Sequence, residues 1–266
     1  MTLQVAQDLK DEAADLYAFL KTLDPADWDI ETRFMEWTPW DVVAHLHYFD
    51  KVSHVTFEGE EAFAPERNKL GEMIRAGKTN KETAREALGH LDGPALLEAW
   101  KKGCDELADK LAARSPKDRL PWFGPDMGVQ MFTTARYMET WAHGQEIYDL
   151  KKASRTHTDR IKNIVAIGIK TYGWTFVNRK LEIPGPPPYV RLTAPSGEVW
   201  EYNEPSEAER IEGPAVDFCQ TVTQVRNVRD TDLRVEGVVA NQWMDIAQCF
   251  AGAPVDPPKP GSRVGA

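Results

Sequence analysis

Trp37-Thr38-Pro39-Trp40-Asp41-Val42-Val43-Ala44-His45-Leu46 reads as the opening of a long helix, and the rest of the chain is best read outward from it. Thr38 suits an N-cap and Pro39 the first helical position. Asp41 stands where a capping box places its acid. This spacing predicts a helix running to about Gly59. His45 shares an inward stripe with Val42, Leu46, Phe49 and Val52. His47 and His54 fall close together on the opposite face, since each residue advances ~100°. Both are therefore read as surface residues.

Upstream, Leu3 to Leu23 carries Val5, Leu9, Ala13, Leu16, Phe19 and Leu20 near a three-four spacing, and Asp24-Pro25 ends it. Downstream, the segment between Gly59 and Gly93 is ambiguous and predicts only short helical pieces. Gly93-Pro94 starts a helix through Trp100, Leu107 and Leu111 to Ser115-Pro116. Gly124-Pro125 precedes another from about Met127 to Leu150. Thr158 caps a fifth through Ile161, Ile164, Val165 and Tyr172 to near Val177, with Gly168 on its apolar stripe.

The pattern changes at Ile183-Pro184-Gly185-Pro186-Pro187-Pro188, a stiff linker that helices do not cross. Beyond it, Tyr189–Thr193 and Glu198–Tyr202 alternate at period two around Pro195-Ser196-Gly197, a hairpin signal. Glu207 to Glu212 predicts an edge strand, and Gly213-Pro214 a helix to about Val225. Leu233–Val235 is strand-like, Ala240 to Phe250 helical, and the Pro/Gly-rich tail from Pro254 is expected to fray. The expected fold is mainly α. A four-helix bundle with an extra helix occupies residues 1–183, and a small α+β domain with a frayed tail occupies residues 184–266.

At 266 residues, with 42% hydrophobic and 28% charged, the chain is composed like a globular protein with a sizeable core. Thirty-two Lys and Arg against forty-two Asp and Glu give a net charge of −10. That balance argues against nucleic acid as a partner, because binding it requires cations that displace phosphate counterions. It argues equally against an anionic membrane surface. No apolar run approaches the ~20 residues of a membrane span, and the polar, acidic start is unlike a secretory signal. Cys104, Cys219 and Cys249 are widely spaced and form no Cys-x-x-Cys pair. They read as reduced thiols in a cytoplasmic protein. Cys104 has no adjacent base or cation in sequence and reads as inert packing. The nine tryptophans, Trp37 and Trp141 among them, read mostly as core.

There is no Gly-x-Ser-x-Gly elbow, no phosphate-cradling Gly-rich loop and no Rossmann fingerprint. The informative polar residues lie on the helix from about Met127. There Glu139 and His143, four apart, meet on one face, with Arg136 and Glu146 at three-residue steps on the same stripe. If that helix faces the one carrying His45, two histidines and one carboxylate form a site with open positions, suited to zinc or non-haem iron. The same residues also suit a plainer arrangement. A Glu–His pair four apart can be a surface ion pair, and a lone histidine on an apolar stripe a hydrogen-bonded core residue. Arg136 and Glu146 read either as groups orienting Glu139 and His143 or as a salt-bridged helix face.

The Trp37–Leu46 segment, followed some ninety residues later by Arg136-x-x-Glu139-x-x-x-His143, resembles the DinB/YfiT-like metal-binding bundles. Within them it is most similar to the mycothiol-dependent maleylpyruvate isomerase branch, in a subgroup known only for metal binding. The resemblance implies an N-terminal four-helix bundle holding a divalent metal, usually zinc, on His45, Glu139 and His143. It also implies a smaller α+β C-terminal domain like that of sterol carriers. Family members often have Gly before the motif tryptophan, where this chain has Glu36. The isomerase also draws an arginine from its C-terminal domain; Arg226 and Arg229 are candidates here, without a motif that carries the role across.

Three functions are compatible with these residues. The first is a metal-dependent enzyme that uses a low-molecular-weight thiol such as mycothiol to isomerise, or transfer sulfur to, a small electrophilic substrate. The second is a metal-water hydrolase or hydratase independent of thiol, with Glu146 as proton carrier. The third is a non-catalytic small-molecule binder. The first is the expected one, with a small-molecule substrate as partner and a homodimer left open.

Overall fold

The computed structural model describes residues 3–263; Met1-Thr2 and the last three residues of the tail lie outside the described residues. Contacts divide the chain into two compact units, residues 1–147 and 148–266.

The first unit is helical. Helix α1 (Gln4–Leu20) buries Val5, Leu9, Ala13, Leu16 and Leu20, the stripe expected of one apolar face. Helix α2 (Pro39–Val55) opens as its sequence predicts. The Thr38 hydroxyl accepts from the Asp41 amide (3.3 Å), and the Asp41 carboxylate accepts from the Thr38 amide (3.0 Å). Two further helices fill the ambiguous segment, α3 (Glu60–Arg75) and α4 (Asn80–Leu88), the latter with its own capping box from Thr79 and Glu82. Helix α5 (Gly93–Ala112) is capped by Asp92, whose side chain accepts from the Ala95 amide. Glycine is required at its first position, because a Cβ on Gly93 would come within 2.3 Å of the Trp28 ring. A two-residue hairpin, β1 (Arg119–Leu120) with β2 (Met127–Gly128), leads into α6 (Val129–Leu150), which runs across the boundary between units.

Helix α5 packs on both α1 and α2, and α4 packs on α2. Helix α6 meets α1 through Tyr137 and Glu12, and α2 through Glu139 with His45 and Arg136 with Asp50. Helices α1, α2, α5 and α6 thus form the four-helix bundle. With neighbours on several sides, α2 buries almost every residue from Asp41 to Ser53. Contrary to the surface expectation, His47 is buried and His54 half-buried. His47 is 8% exposed, and the His54 ring nitrogen lies 3.1 Å from the Gly103 carbonyl of α5. Periodicity within α2 could not reveal that a second helix covers its far face.

In the second unit the fifth predicted helix is two, α7 (Lys162–Lys170) and α8 (Tyr172–Asn178), broken at Thr171. The Thr171 backbone departs from helical values there (φ −94°, ψ 8°), and its hydroxyl donates back to the carbonyls of Ile167 and Gly168. Four strands follow: β3 (Tyr189–Thr193), β4 (Val199–Tyr202), β5 (Arg210–Pro214) and, after helix α9 (Ala215–Val222), β6 (Arg234–Glu236); α10 (Val238–Met244) completes the unit. Their order is β4-β3-β5-β6, with β3 antiparallel to β4, parallel to β5, and β5 antiparallel to β6. Strand β5, expected at an edge, is therefore interior. Val190, Leu192, Trp200 and Ile211 are buried, and α9 packs on β3 and β5.

The division of contacts at 147/148 lies upstream of the 183/184 boundary expected from the proline-rich linker. Helix α7 packs on α9, and α8 on α10, so both helices belong with the sheet. The tail does not fray as far as Arg263. Gln224 donates to the Val255 carbonyl, Asn227 to that of Pro258, and Arg263 to that of Gln224.

Candidate metal centre

His45 projects from the second turn of α2, and Glu139 and His143 from successive turns of α6. Each offers one ligand atom, and the three atoms lie within 4.8 Å of one another. Both imidazoles turn Nε2 toward the same carboxylate oxygen: His45 Nε2 and His143 Nε2 each lie 3.2 Å from Glu139 Oε2. The imidazole centroids are 4.6 Å apart. Among the described residues the cluster contains no other His, Cys, Asp or Glu.

The spacing and chemistry of this set fit a divalent cation. A separation of 3.2 Å is long for a charge-assisted hydrogen bond. It is close to the ~3.3 Å edge of a tetrahedron whose ligands sit about 2.0–2.1 Å from zinc. One carboxylate with two neutral imidazoles carries one negative charge, leaving a bound dication with net positive charge and room for further ligands. The protonation states favour this. Burial, the largest effect, holds the His45 imidazole down to about 4, against the pull of the Glu139 carboxylate. Burial alone would raise the Glu139 carboxyl, but its contacts with His143 and His45 hold it well below the usual carboxylate range. The Nδ1 atom of His45 is buried without a hydrogen-bond partner, so nothing in the second position fixes its tautomer.

Besides the Glu139 carboxylate, aromatic rings flank the imidazoles. Trp37 lies almost flat on His143 (interplanar angle 5°, centroids 5.3 Å apart) and 5.2 Å from His45. Phe34 meets His143 edge-on at 5.2 Å, and Phe49 lies 4.9 Å from His45. The first two rings come from a turn in which Met35 and Glu36 both have positive φ, +50° and +56°. The turn is closed by the Thr32 amide donating to the Trp37 carbonyl and the Trp37 amide to that of Phe34. Sequence reading placed Trp37 in the core and gave Phe34 no role. Neither Met35 nor Glu36 signals this turn by residue type. The backbone there is left-handed, a conformation that favours glycine.

The other candidate residues are not among the three donors. The Arg136 Nε donates to Asp50 Oδ1 at 3.0 Å and its Nη2 to the Leu46 carbonyl at 3.4 Å, so its partners are on α2 and not Glu139 or His143. Burial raises the Asp50 carboxyl in spite of the Arg136 charge. Glu146 is 3% exposed and outside the donor cluster. Arg226 is nearly buried and holds Asp149 through Nη2, at 2.7 and 2.6 Å from its two oxygens. Arg229 is exposed and pairs with Asp245 at 3.3 Å. Cys104 is buried, and burial pushes its thiol well up. Trp141 is core, 1% exposed. No helix among the described residues is long and apolar enough to cross a membrane.

Residues 9–148 match the family described as the mycothiol maleylpyruvate isomerase N-terminal domain. The chain is 34% identical over 252 residues to the uncharacterized protein Rv0036c of Mycobacterium tuberculosis (strain ATCC 25618 / H37Rv), covering 93% of this chain and 95% of that one. The uncharacterized protein MT0041 of Mycobacterium tuberculosis (strain CDC 1551 / Oshkosh) matches to the same extent. Among solved structures, the mycothiol-dependent maleylpyruvate isomerase shares the fold, with a TM-score of 0.53 at 12% identity, over 83% of this chain and 88% of that one. A histidine-to-alanine mutant of that isomerase gives 0.54 at 13% identity over the same shares.

Proposed function

The chain belongs to the mycothiol maleylpyruvate isomerase N-terminal domain family, and from that premise we propose that it is a divalent-metal-dependent enzyme using a low-molecular-weight thiol on a small electrophilic substrate. Isomerisation or sulfur transfer is the reaction class. The observation that supports this most is the convergence of His45, Glu139 and His143 on a common point from two helices of the bundle.

In this reading the three side chains are the ligands, and zinc is the first candidate for their two-nitrogen, one-oxygen set. When bound, the ion would supply Lewis acidity that favours the ionised form of a small thiol at neutral pH. The residues of the chain do the remaining work. His45 reaches neutral pH already unprotonated, so it costs no proton to release as a ligand. Glu139 is ionised under the same conditions. Trp37, Phe34 and Phe49 keep the imidazoles in place and limit water around them. Side chains of Glu139 and His143 remain 23% and 15% accessible, against 7% for His45, so the open side is that of α6.

A thiol-independent hydrolase would need a proton carrier, the role for which the sequence offers Glu146. Its burial, which limits proton exchange with solvent, weighs against that alternative. The test is calorimetric titration of the zinc-loaded protein with mycothiol, bacillithiol and glutathione. One of the three is expected to bind wild type and to lose binding in His143→Ala. If none binds and none supports turnover, the thiol-dependent reading falls.

A further inference from the structure

Helix α4 reaches the aromatic turn over the candidate ligands. Lys81 Nζ donates to the Glu36 carbonyl at 2.6 Å. It lies 3.5 Å from Asp41 Oδ2. Four residues on, Arg85 grips Asp41 with two hydrogen bonds, Nε to Oδ1 at 2.6 Å and Nη2 to Oδ2 at 2.8 Å. Asp41 is therefore satisfied by Arg85 and by Thr38 without Lys81, whose short contact is the one to the turn.

The turn is closed by hydrogen bonds of its own, and Lys81 adds one from outside it at its strained end. Met35 and Glu36 both hold left-handed backbone, which residues bearing a Cβ adopt reluctantly. Both are exposed, so burial of their own side chains does not hold them there. Yet it is this reversal that lets Phe34 and Trp37 both face His143 from either end of the turn, with Trp37 reaching His45 as well. A hydrogen bond to the carbonyl of the second strained residue, from a helix anchored on α2, fixes the reversal where it is least favourable.

We propose that Lys81 is a positioning residue: by tethering the Glu36 carbonyl it keeps Trp37 stacked on His143, and so presets the ligand set for its ion. This rests on the metal reading above, and its test separates the two. The imidazole protons of His143 are followed by NMR in metal-free protein, where a ring stacked at 5.3 Å should shift them upfield. Zinc is then titrated calorimetrically into wild type, Lys81→Met, Lys81→Arg, Glu36→Gly and the Lys81→Met/Glu36→Gly double variant.

Lys81→Met is expected to reduce the upfield shift and to weaken zinc binding about 10-fold, at the lower end of what outer partners of metal ligands contribute. Lys81→Arg should restore both. Glycine at 36 removes the backbone penalty that the tether opposes, so Lys81→Met should cost much less zinc affinity in the Glu36→Gly background. The proposal is overturned if Lys81→Met retains both the shift and the affinity, or if one changes without the other. It is also overturned if Glu36→Gly gives no compensation. Should Lys81→Met fail to fold, the role is a general structural one and the proposal is likewise overturned. If wild type binds no zinc, the metal reading fails, whereas the ring shift in metal-free protein still decides whether Lys81 holds Trp37.

Discussion

Asp41 shows how much one side chain carries at the start of α2. Its carboxylate caps the helix, accepts two hydrogen bonds from Arg85, and is fully buried. Burial opposes ionisation, but Arg85 and the Thr38 amide outweigh it, so the Asp41 carboxyl lies below its ordinary value. A carboxyl depressed by folding stabilises the native state above its unfolded pKa, near ~3.9, and that contribution is lost as pH falls through the folded value. Asp41→Asn should therefore destabilise the protein by about 1–3 kcal/mol at pH 7. The gap between variant and wild type should close as pH drops below about 4. Denaturant melts at pH 7 and at pH 3 measure it; an equal gap at both would assign the effect to packing. At this scale the sequence was informative: Thr38, Pro39 and Asp41 announce the cap by residue type alone. Arg85 was not legible as its partner, because that pairing depends on where α4 docks.

The element that matters most for the site is the α2–α6 pair. Its register is fixed by two polar contacts a few residues apart along both helices, His45 with Glu139 and Asp50 with Arg136. The second pair is almost wholly buried, with side chains 2% and 6% accessible. Removing one partner leaves an uncompensated buried charge. Arg136→Met should cost about 3–5 kcal/mol. Asp50→Leu/Arg136→Met should recover much of that loss, because no lone charge remains. Urea unfolding of the two variants checks this, and a double variant no better than the single would show that the pair is not the source of the cost. The i, i+4 spacing made Glu139 and His143 legible as a unit, and the apolar stripe placed His45 inward. Arg136 was visible on the same stripe, yet its partner was not, since Asp50 lies on a separate helix. Likewise β5 looked like an edge strand because parallel pairing with β3 is a long-range event that period-two alternation does not report. The break at Thr171 was hidden for a different reason: it lies inside an unbroken apolar stripe.

For the whole molecule, the sequence indicated a helical first part and an α+β second part, because helical and period-two patterns are local. It did not place the division of contacts, which follows how α7 and α8 pack rather than where prolines accumulate. The ligand triad could be read from three residues. The aromatic frame around it could not, because Phe34 and Trp37 reach the imidazoles only through a left-handed turn at Met35 and Glu36. The proposed chemistry requires His45, Glu139 and His143 to share one ion. Elemental analysis tests this most directly, on wild type, His45→Ala, Glu139→Ala and His143→Ala, each dialysed against zinc and then against buffer. Wild type should retain about one equivalent of metal, and each variant far less while keeping its helical circular dichroism. Wild type that emerges without metal, or variants that retain as much as wild type, would show that these three residues share no ion.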